Sequence, residues 1–187
     1  TLFNFYIDKA DRREQLADKK TGSIQPLTAW ALYNMVRYFQ PERLMEIGTY
    51  IGKSTVSMAA GIYDSGKLDH KVPLHTCDRE NAIDIIWSNP YSCELIQYKK
   101  QTSTQMLQFL KESSSPSFDF VNLDGRLSED KDMDMFIDLI DLDKTVICLD
   151  DFEGIEKGMG NYIKLSKRKE FKNHLLVYNP SMRMAND

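Results

Sequence analysis

Arg43-Leu-Met-Glu-Ile-Gly-Thr-Tyr-Ile-Gly-Lys-Ser-Thr-Val-Ser-Met-Ala-Ala-Gly61 is the most informative segment of this 187-residue chain. It opens with a short apolar run that is typical of a buried strand and is interrupted by one carboxylate, Glu46. Gly48 and Gly52 then bracket a tight loop, and Ser54 to Ile62 predicts a helix. A strand, a glycine loop and a helix in this order indicate the first unit of a nucleotide-binding α/β sheet, because glycines allow close approach to a ligand and a helix N-terminus offers free N–H groups.

Two chemistries compete for this loop. Its Gly-Lys-Ser-Thr end is typical of a Walker A phosphate loop, but only three residues separate Gly48 from Gly52, one fewer than that loop requires. Glu46 also argues against a phosphate, because a carboxylate repels a polyanion. It suits a ligand with a cationic amino group and neutral hydroxyls. A glycine loop that only connects a strand to a helix is the third interpretation.

The pattern Glu-Ile-Gly-Thr-Tyr-Ile-Gly-Lys-Ser at residues 46–54 resembles the first motif of class I S-adenosylmethionine (SAM)-dependent methyltransferases. Among these it is most similar to the small O-methyltransferases of the catechol type. The resemblance implies an α/β protein with a Rossmann-like methyltransferase fold, in which a mostly parallel twisted sheet carries helices on both faces. It also implies that the motif supplies cofactor contacts from Glu46, Gly48, Thr49, Tyr50, Gly52 and Ser54.

A helix is predicted before this motif, from Pro26 or Leu27 to about Phe39, since proline suits a first helical turn. Residues near helical spacing predict its core face: Leu27, Trp30, Ala31, Asn34, Met35 and Tyr38. In the resembling family, the loop before this helix borders the methionine end of the cofactor. The resemblance therefore implies contacts from Ser23 and Gln25.

Length and composition predict one domain, residues 1–187, in which residues 1–21 form an N-terminal arm or cap helix. The net charge of −4 gives no general attraction to nucleic acid or anionic membranes. No apolar run approaches the ~18 residues of a membrane span. Three scattered cysteines favour reduced core thiols in a cytoplasmic protein over disulfides or a zinc site. We expect a small-molecule acceptor as partner and allow for a homo-oligomer.

The second predicted strand, Leu74–Asp78, closes in an acid, with Arg79 at the turn that follows. An acid in this position commonly accepts hydrogen bonds from the ribose hydroxyls of a bound nucleoside. Asp78, with Arg79 beside it, is therefore a candidate cofactor contact. The alternative is that Asp78 only caps the next helix.

A short third strand is predicted at Leu95–Tyr98, followed by a polar turn over residues 101–105 and a helix from Met106 to Lys111. In the catechol-type family this turn meets the adenine of the cofactor. The resemblance therefore implies adenine contacts from Ser103 and Thr104.

Two further predicted strands end in carboxylates. One runs from Phe118 to Asp124, and the other begins at Thr145 and ends in Asp150 and Asp151. In a parallel sheet both ends open on one crevice. Carboxylates that lie close together repel one another, so a divalent cation is a natural partner for them.

The resemblance also assigns these acids. Catechol-type enzymes hold Mg²⁺ with an Asp at the end of the fourth strand and an Asp-Asn pair at the end of the fifth. This implies a Mg²⁺ or Ca²⁺ site made by Asp124, Asp150 and Asp151. Asp124 would also contact the cofactor, and Asp124 and Asp150 would serve catalysis through the metal.

The usual catalytic base of the family is missing from its motif. The family's His or Lys falls at Leu127 here, and the neighbouring Arg126 cannot replace it because its guanidinium stays protonated. A helix predicted from Asp130 to Leu142 leads to the last acidic strand. That strand also fits a Walker B segment, and Asp151 could simply cap the helix that follows.

Three functions stay open at this point. The first is SAM-dependent methyl transfer to a small-molecule hydroxyl, assisted by a divalent metal. The second is a P-loop nucleotide hydrolase or kinase. The third is a methyltransferase fold kept as a non-catalytic cofactor-binding module, which the missing base makes credible.

Overall fold

The structure is a computed structural model that describes residues 24–66, 73–79, 95–127, 130–150 and 157–171. The predicted arm at residues 1–21, together with Ser23 and Asp151, lies outside the described residues. The helices are α1 Pro26–Phe39, α2 Lys53–Asp64, α3 Ser103–Glu112, α4 Asp130–Asp138 and α5 Gly158–Ser166, and a short 3-10 turn spans Lys169–Phe171. The strands are β1 Leu44–Ile47, β2 Leu74–Asp78, β3 Ile96–Lys100, β4 Phe120–Leu123 and β5 Val146–Leu149.

The five strands form one parallel sheet in the order β3-β2-β1-β4-β5. β1 is central, so Glu46 is in register with Thr76 of β2 on one side and with Asn122 of β4 on the other. From the central β1 the chain adds β2 and β3 on one side of the sheet and then β4 and β5 on the other. The strand order therefore reverses beside β1, where the glycine loop lies. This topology confirms the predicted Rossmann-like α/β fold.

Helices cover both faces of the sheet, as predicted. Because side chains alternate along a strand, Leu44 packs with α1 and α2 on one face, whereas Met45 and Ile47 pack with α3, α4 and α5 on the other. Of the helices in the described part of the chain, none has the length and apolar character that a membrane crossing requires.

Two of the three cysteines lie in described strands as free thiols. Burial raises the pKa of Cys77 and of Cys148 to about 12 each, so both thiols stay protonated at neutral pH. This agrees with the prediction of reduced core cysteines. Cys93 lies outside the described residues.

The predicted core face of α1 is wrong, although the helix has the predicted bounds. An added Cβ on Gly61 of α2 would lie 2.7 Å from the Tyr33 carbonyl oxygen, so the two helices approach closely at this glycine. That contact determines which face of α1 is buried. The spacing of apolar residues in the sequence fits two faces of this helix and does not show which of them packs on the core. The buried side chains are Ala29, Leu32, Tyr33 and Val36, whereas Leu27, Trp30 and Tyr38 are 58%, 54% and 82% exposed.

The bounds of three helices differ from the prediction: α2 begins one residue before Ser54 and ends two residues after Ile62, and α3 and α4 differ by more. α3 begins at Ser103 because Thr102 is its N-cap: Gln105 N donates to Thr102 Oγ1 at 3.2 Å, and Thr102 N donates to Gln105 Oε1 at 2.9 Å. The predicted polar turn is thus the first turn of a helix with a capping box. α4 ends at Asp138, and Ile140 beyond it forms an isolated bridge with Phe118.

Candidate functional site

The predicted site segments meet at the carboxyl edge of the sheet. The glycine loop after β1 lies between Asp78 at the end of β2 and Asp124 after β4, and Asp150 follows β5. Parallel strands place these groups on one edge although they are far apart in the sequence. Backbone hydrogen bonds hold the ends in line, from Gly48 N to Cys77 O at 3.0 Å, Asp124 N to Ile47 O at 3.0 Å and Asp150 N to Leu123 O at 3.2 Å.

The two glycines of the loop serve different purposes. Gly48 has a φ of 98°, and an added Cβ would lie 2.8 Å from Gly125 N, so a side chain here would push the end of β4 away. Gly52, with a φ of 84°, is the N-cap of α2, and this cap makes no side-chain hydrogen bond. The first turn of α2 therefore offers backbone N–H groups suited to a ligand carboxylate.

Asp78 braces the glycine loop from the neighbouring strand. Its Oδ2 accepts a hydrogen bond from Tyr50 N at 2.7 Å, and Tyr50 has a left-handed φ of 47°. The Asp78 side chain is half-buried, whereas Arg79 is exposed. A carboxylate has about four acceptor positions, so the loop contact is compatible with ribose binding. The bracing contact itself was not predicted from the sequence.

Glu46 faces the protein interior beneath α2. The residue is 0% exposed, Thr76 Oγ1 donates to its Oε2 at 2.7 Å, Asn122 Nδ2 donates to its Oε1 at 3.2 Å, and Thr55 Oγ1 also donates to it. Burial raises the pKa of the Glu46 carboxyl, and the hydrogen bonds from its neighbours, Ser54 included, oppose that rise.

The Glu46 network reaches the glycine loop. Thr76 Oγ1, which donates to Glu46, also lies 2.6 Å from Thr49 Oγ1. The contacts of Glu46 are therefore structural ones that tie β2 and the loop to β1. Direct contact between Glu46 and a cofactor stays a prediction.

The predicted adenine contacts adjoin the same edge. Ser103 is buried and Thr104 half-buried, both in the first turn of α3. Gln101 N donates to Asp78 O at 2.8 Å, which places this turn beside the end of β2. Gln25 is exposed at the N-cap of α1, and its role stays a prediction.

Asp124 is nearly buried and is paired with a lysine. Its side chain is 9% exposed, and the Lys157 Nζ lies 3.4 Å from its Oδ1. Within the described ranges, no group of three acidic, histidine or cysteine side chains is arranged to hold a metal ion. Asp150 is half-buried, while Asp151 lies outside the described residues. Of the three predicted metal ligands the structure thus describes Asp124 and Asp150, and it places the ammonium of Lys157 beside Asp124.

The loop from Asp124 to Leu127 is clamped by α5. The Asn161 side chain, 2% exposed, accepts a hydrogen bond from Leu127 N at 3.1 Å and donates one to Gly125 O at 2.8 Å. Lys164 Nζ donates to Leu127 O. Leu127, which occupies the position of the family's base, is 0% exposed.

Three described residues that contact this loop were not predicted from the sequence, namely Lys157, Asn161 and Lys164. Their spacing of four and then three places them on one face of a helix. Such spacing is a weak signal, because a polar helix face is usually solvated.

A family model described as a methyltransferase domain matches residues 45–152, which is more than half of the chain. The match runs from β1 to just beyond β5 and includes the glycine loop, Asp78 and the Asp124 loop. No curated protein matches the sequence.

Solved structures share this fold at low identity. The O-methyltransferase from Bacillus cereus, solved with SAH, has a TM-score of 0.59 and 17% identity over 73% of this chain and 61% of its own. The O-methyltransferase TomG from Streptomyces achromogenes, involved in tomaymycin synthesis and solved with SAM, has a TM-score of 0.58 and 20% identity over 73% and 60%. A methyltransferase from Geobacter sulfurreducens has a TM-score of 0.63 and 12% identity over 88% and 79%.

This chain spans about three fifths of the length of the first two structures, 61% and 60%. At these identities the likeness concerns the fold, and the family model adds the sequence evidence across the site itself. The parallel sheet, the glycine loop that passes under Asp78 and the matched family model lead to one assignment. The chain belongs to the methyltransferase-domain family.

Proposed function

We propose that the protein transfers a methyl group from SAM to a hydroxyl group of a small molecule. The observation that supports this most directly is the hydrogen bond of 2.7 Å from Tyr50 N to Asp78, which joins the glycine loop to the end of β2. Asp124 lies at the same edge of the sheet, after β4. O-methyltransferases with this fold were solved with SAH and with SAM. Membership of the methyltransferase family rules against the P-loop alternative.

The described residues fit such a cofactor. The glycine loop leads into the first turn of α2, whose N-cap makes no side-chain hydrogen bond, and this turn suits the carboxylate of an amino acid. Asp78 suits the ribose hydroxyls, and the buried turn at Ser103 suits the adenine. When bound, SAM supplies a methyl group activated by a sulfonium. The chain would direct that group toward the Asp124 end of the edge.

Positioning is the main contribution that this chain can make to the reaction. Holding an acceptor oxygen in line with the methyl group can lower the barrier by roughly 7–11 kcal/mol. Because Leu127 is buried where the family has its base, an acidic hydroxyl is the better acceptor. A phenol, with a pKa of about 10 like that of the tyrosine side chain, needs less help to ionise than an alcohol does.

Metal assistance by Asp124, Asp150 and Asp151 remains a prediction from the sequence. The ammonium of Lys157 at 3.4 Å from Asp124 Oδ1 makes it the less favoured version of the reaction. A cytoplasmic location, a homo-oligomer and a single domain over residues 1–187 also remain predictions.

A non-catalytic cofactor-binding module is the second candidate, and the buried Leu127 is the observation that favours it. The two candidates differ in turnover and agree in cofactor binding. Incubation with SAM carrying a labelled methyl group and a panel of phenols, catechols and alcohols separates them. Labelled product supports the enzyme, whereas cofactor binding without any transfer supports the module.

Cofactor binding itself is tested by isothermal titration calorimetry with SAM, SAH and ATP. We expect saturable binding of SAM and SAH and no binding of ATP. Binding of ATP, with no signal for either sulfur nucleoside at millimolar concentration, would refute both candidates.

A further inference from the structure

Within the part of the chain that the structure describes, Asp124 is paired with a cation that the chain itself supplies. Lys157 Nζ lies 3.4 Å from Asp124 Oδ1, and the two side chains are 41% and 9% exposed. A carboxylate this deeply buried needs a positive partner, since burial in a medium of low dielectric disfavours an isolated charge. In this structure the lysine meets that need.

The lysine is held in place by more than its own ion pair. Lys157 directly precedes α5, and its carbonyl oxygen accepts a hydrogen bond from Asn161 N at 2.8 Å. Asn161 in turn binds both Gly125 and Leu127 of the loop that follows Asp124. The helix that presents the ammonium is therefore fastened to the loop that presents the carboxylate.

An ammonium in this position competes with a divalent metal. Mg²⁺ binds carboxylate oxygens at roughly 2.0–2.1 Å and Ca²⁺ at roughly 2.3–2.6 Å. A second positive charge beside the same oxygen repels either ion and takes up part of the negative charge that would bind it. The chain thus places a lysine where the family resemblance implies a metal.

We propose that Lys157 is the resident cation of the acceptor side, an ammonium in place of a divalent metal, and that methyl transfer by this protein needs no metal ion. Lys157 is then a positioning residue: it orients Asp124 and contributes a fixed positive charge that favours the ionised form of the acceptor hydroxyl, whose proton passes to solvent before the oxygen takes the methyl group from the sulfonium. The statement that methyl transfer needs no metal ion rests on the proposed function. The statement that Lys157 excludes a metal from Asp124 does not.

Metal binding by the full chain tests the proposal. Mg²⁺ and Ca²⁺ would be titrated calorimetrically into the wild type, Lys157→Gln, Lys157→Arg and the control Lys167→Gln. Lys167 is an exposed lysine at the end of the same helix. We expect no saturable binding at millimolar concentration to the wild type, Lys157→Arg or the control. We expect Lys157→Gln to gain binding by roughly tenfold or more, because the carboxylate loses its competing charge.

Two results would overturn the proposal. One is saturable binding of Mg²⁺ to the wild type that Asp124→Asn abolishes. The other is a well-folded Lys157→Gln that gains no binding, since the lysine would then not be what excludes the metal. Lys157→Met repeats the comparison if Lys157→Gln does not fold. Failure of the proposed function would appear separately, as absence of SAM and SAH binding, and leaves these titrations unaffected.

Discussion

Two acids on neighbouring strands show how position along a strand assigns a role. Glu46 lies within β1, is 0% exposed and is surrounded by hydroxyl and amide donors. Asp78 is the last residue of β2 and is half-buried. Burial opposes ionisation of the Glu46 carboxyl, and its hydrogen bonds go to the neighbouring strands and to α2. Its role is therefore structural. Asp78 remains at the edge where a ligand can reach it.

Replacement of Asp78 by alanine is expected to weaken SAH binding by roughly ten- to a few hundred-fold. Hydrogen bonds to a charged group contribute about 1.5–3 kcal/mol each, and the bond from Tyr50 N is lost as well. Asp78→Asn keeps an acceptor for Tyr50 N and loses the charge. Its affinity for SAH should therefore lie between those of the wild type and Asp78→Ala. Calorimetry measures this, with Asp143→Ala at an exposed turn as control. Unchanged affinity in a folded Asp78→Ala protein would return Asp78 to a bracing role alone.

The raised pKa of Glu46 predicts a pH dependence of stability. In the unfolded chain this carboxyl ionises near its ordinary value of 4.5, whereas in the folded protein burial keeps it protonated to higher pH. The unfolded state therefore binds fewer protons above that value, and the free energy of unfolding falls as pH rises from about 4.5 toward the folded pKa. Glu46→Gln cannot titrate, so this pH-dependent contribution to the free energy of unfolding is absent in the variant.

Urea unfolding of the wild type and Glu46→Gln between acidic and neutral pH measures the effect. The variant should gain stability relative to the wild type as pH rises. A constant difference between the two proteins across that range would contradict the burial argument.

At the scale of elements, α5 organises the acceptor end of the site. Lys157, Asn161 and Lys164 reach the loop after β4 from one helix face. Such a clamp has a structural cause, because a short loop between a strand and a helix has backbone groups that must be satisfied when they are buried. The Asn161 amide supplies a donor and an acceptor to Gly125 and Leu127.

Asn161→Ala is expected to destabilise the protein by about 1–3 kcal/mol, because two buried backbone groups lose their partners. Asn34→Ala is the matched control: its amide also bonds to a backbone oxygen, at 2.8 Å from Trp30 O, but at an exposed site. Denaturant unfolding of both variants gives the comparison. Equal losses of stability in the two variants would show that the clamp adds nothing to an ordinary surface amide.

At the scale of the whole molecule, the strand order gathers the candidate site at one edge. β1 lies at the centre, so its glycine loop has Asp78 on one side and Asp124 on the other. A ligand that touches both sides would hold the two halves of the sheet together. Binding should therefore appear as global stabilisation.

SAH is expected to raise the midpoint of thermal unfolding. A ligand at a concentration one hundred times its dissociation constant adds about 2.7 kcal/mol to the stability of the form that binds it. Differential scanning fluorimetry with SAH, with ATP and with EDTA checks this. The shift should occur with SAH only and should shrink in Asp78→Ala. A shift with ATP and none with SAH would contradict the cofactor assignment.

The sequence by itself determined the local elements that frame the site. Apolar runs, glycines and prolines act on the backbone of their own segment, so β2 Leu74–Asp78 and α1 Pro26–Phe39 have the predicted bounds. The alternation of strands and helices predicted an α/β protein, and the resemblance of residues 46–54 to the methyltransferase motif implied that its sheet is mostly parallel. The glycine loop and the acids that end the strands were visible for the same reason.

Only the tertiary structure decided which groups touch. The burial of Glu46 under α2, the face that α1 turns to the core and the pairing of Lys157 with Asp124 all depend on partners far away in the sequence. Strand order and helix packing bring these partners together, and neither leaves a periodic signal in a single segment. A charged residue looks the same in the sequence whether it is solvated or paired. Its role is set by the neighbours that folding places within a few ångströms of it.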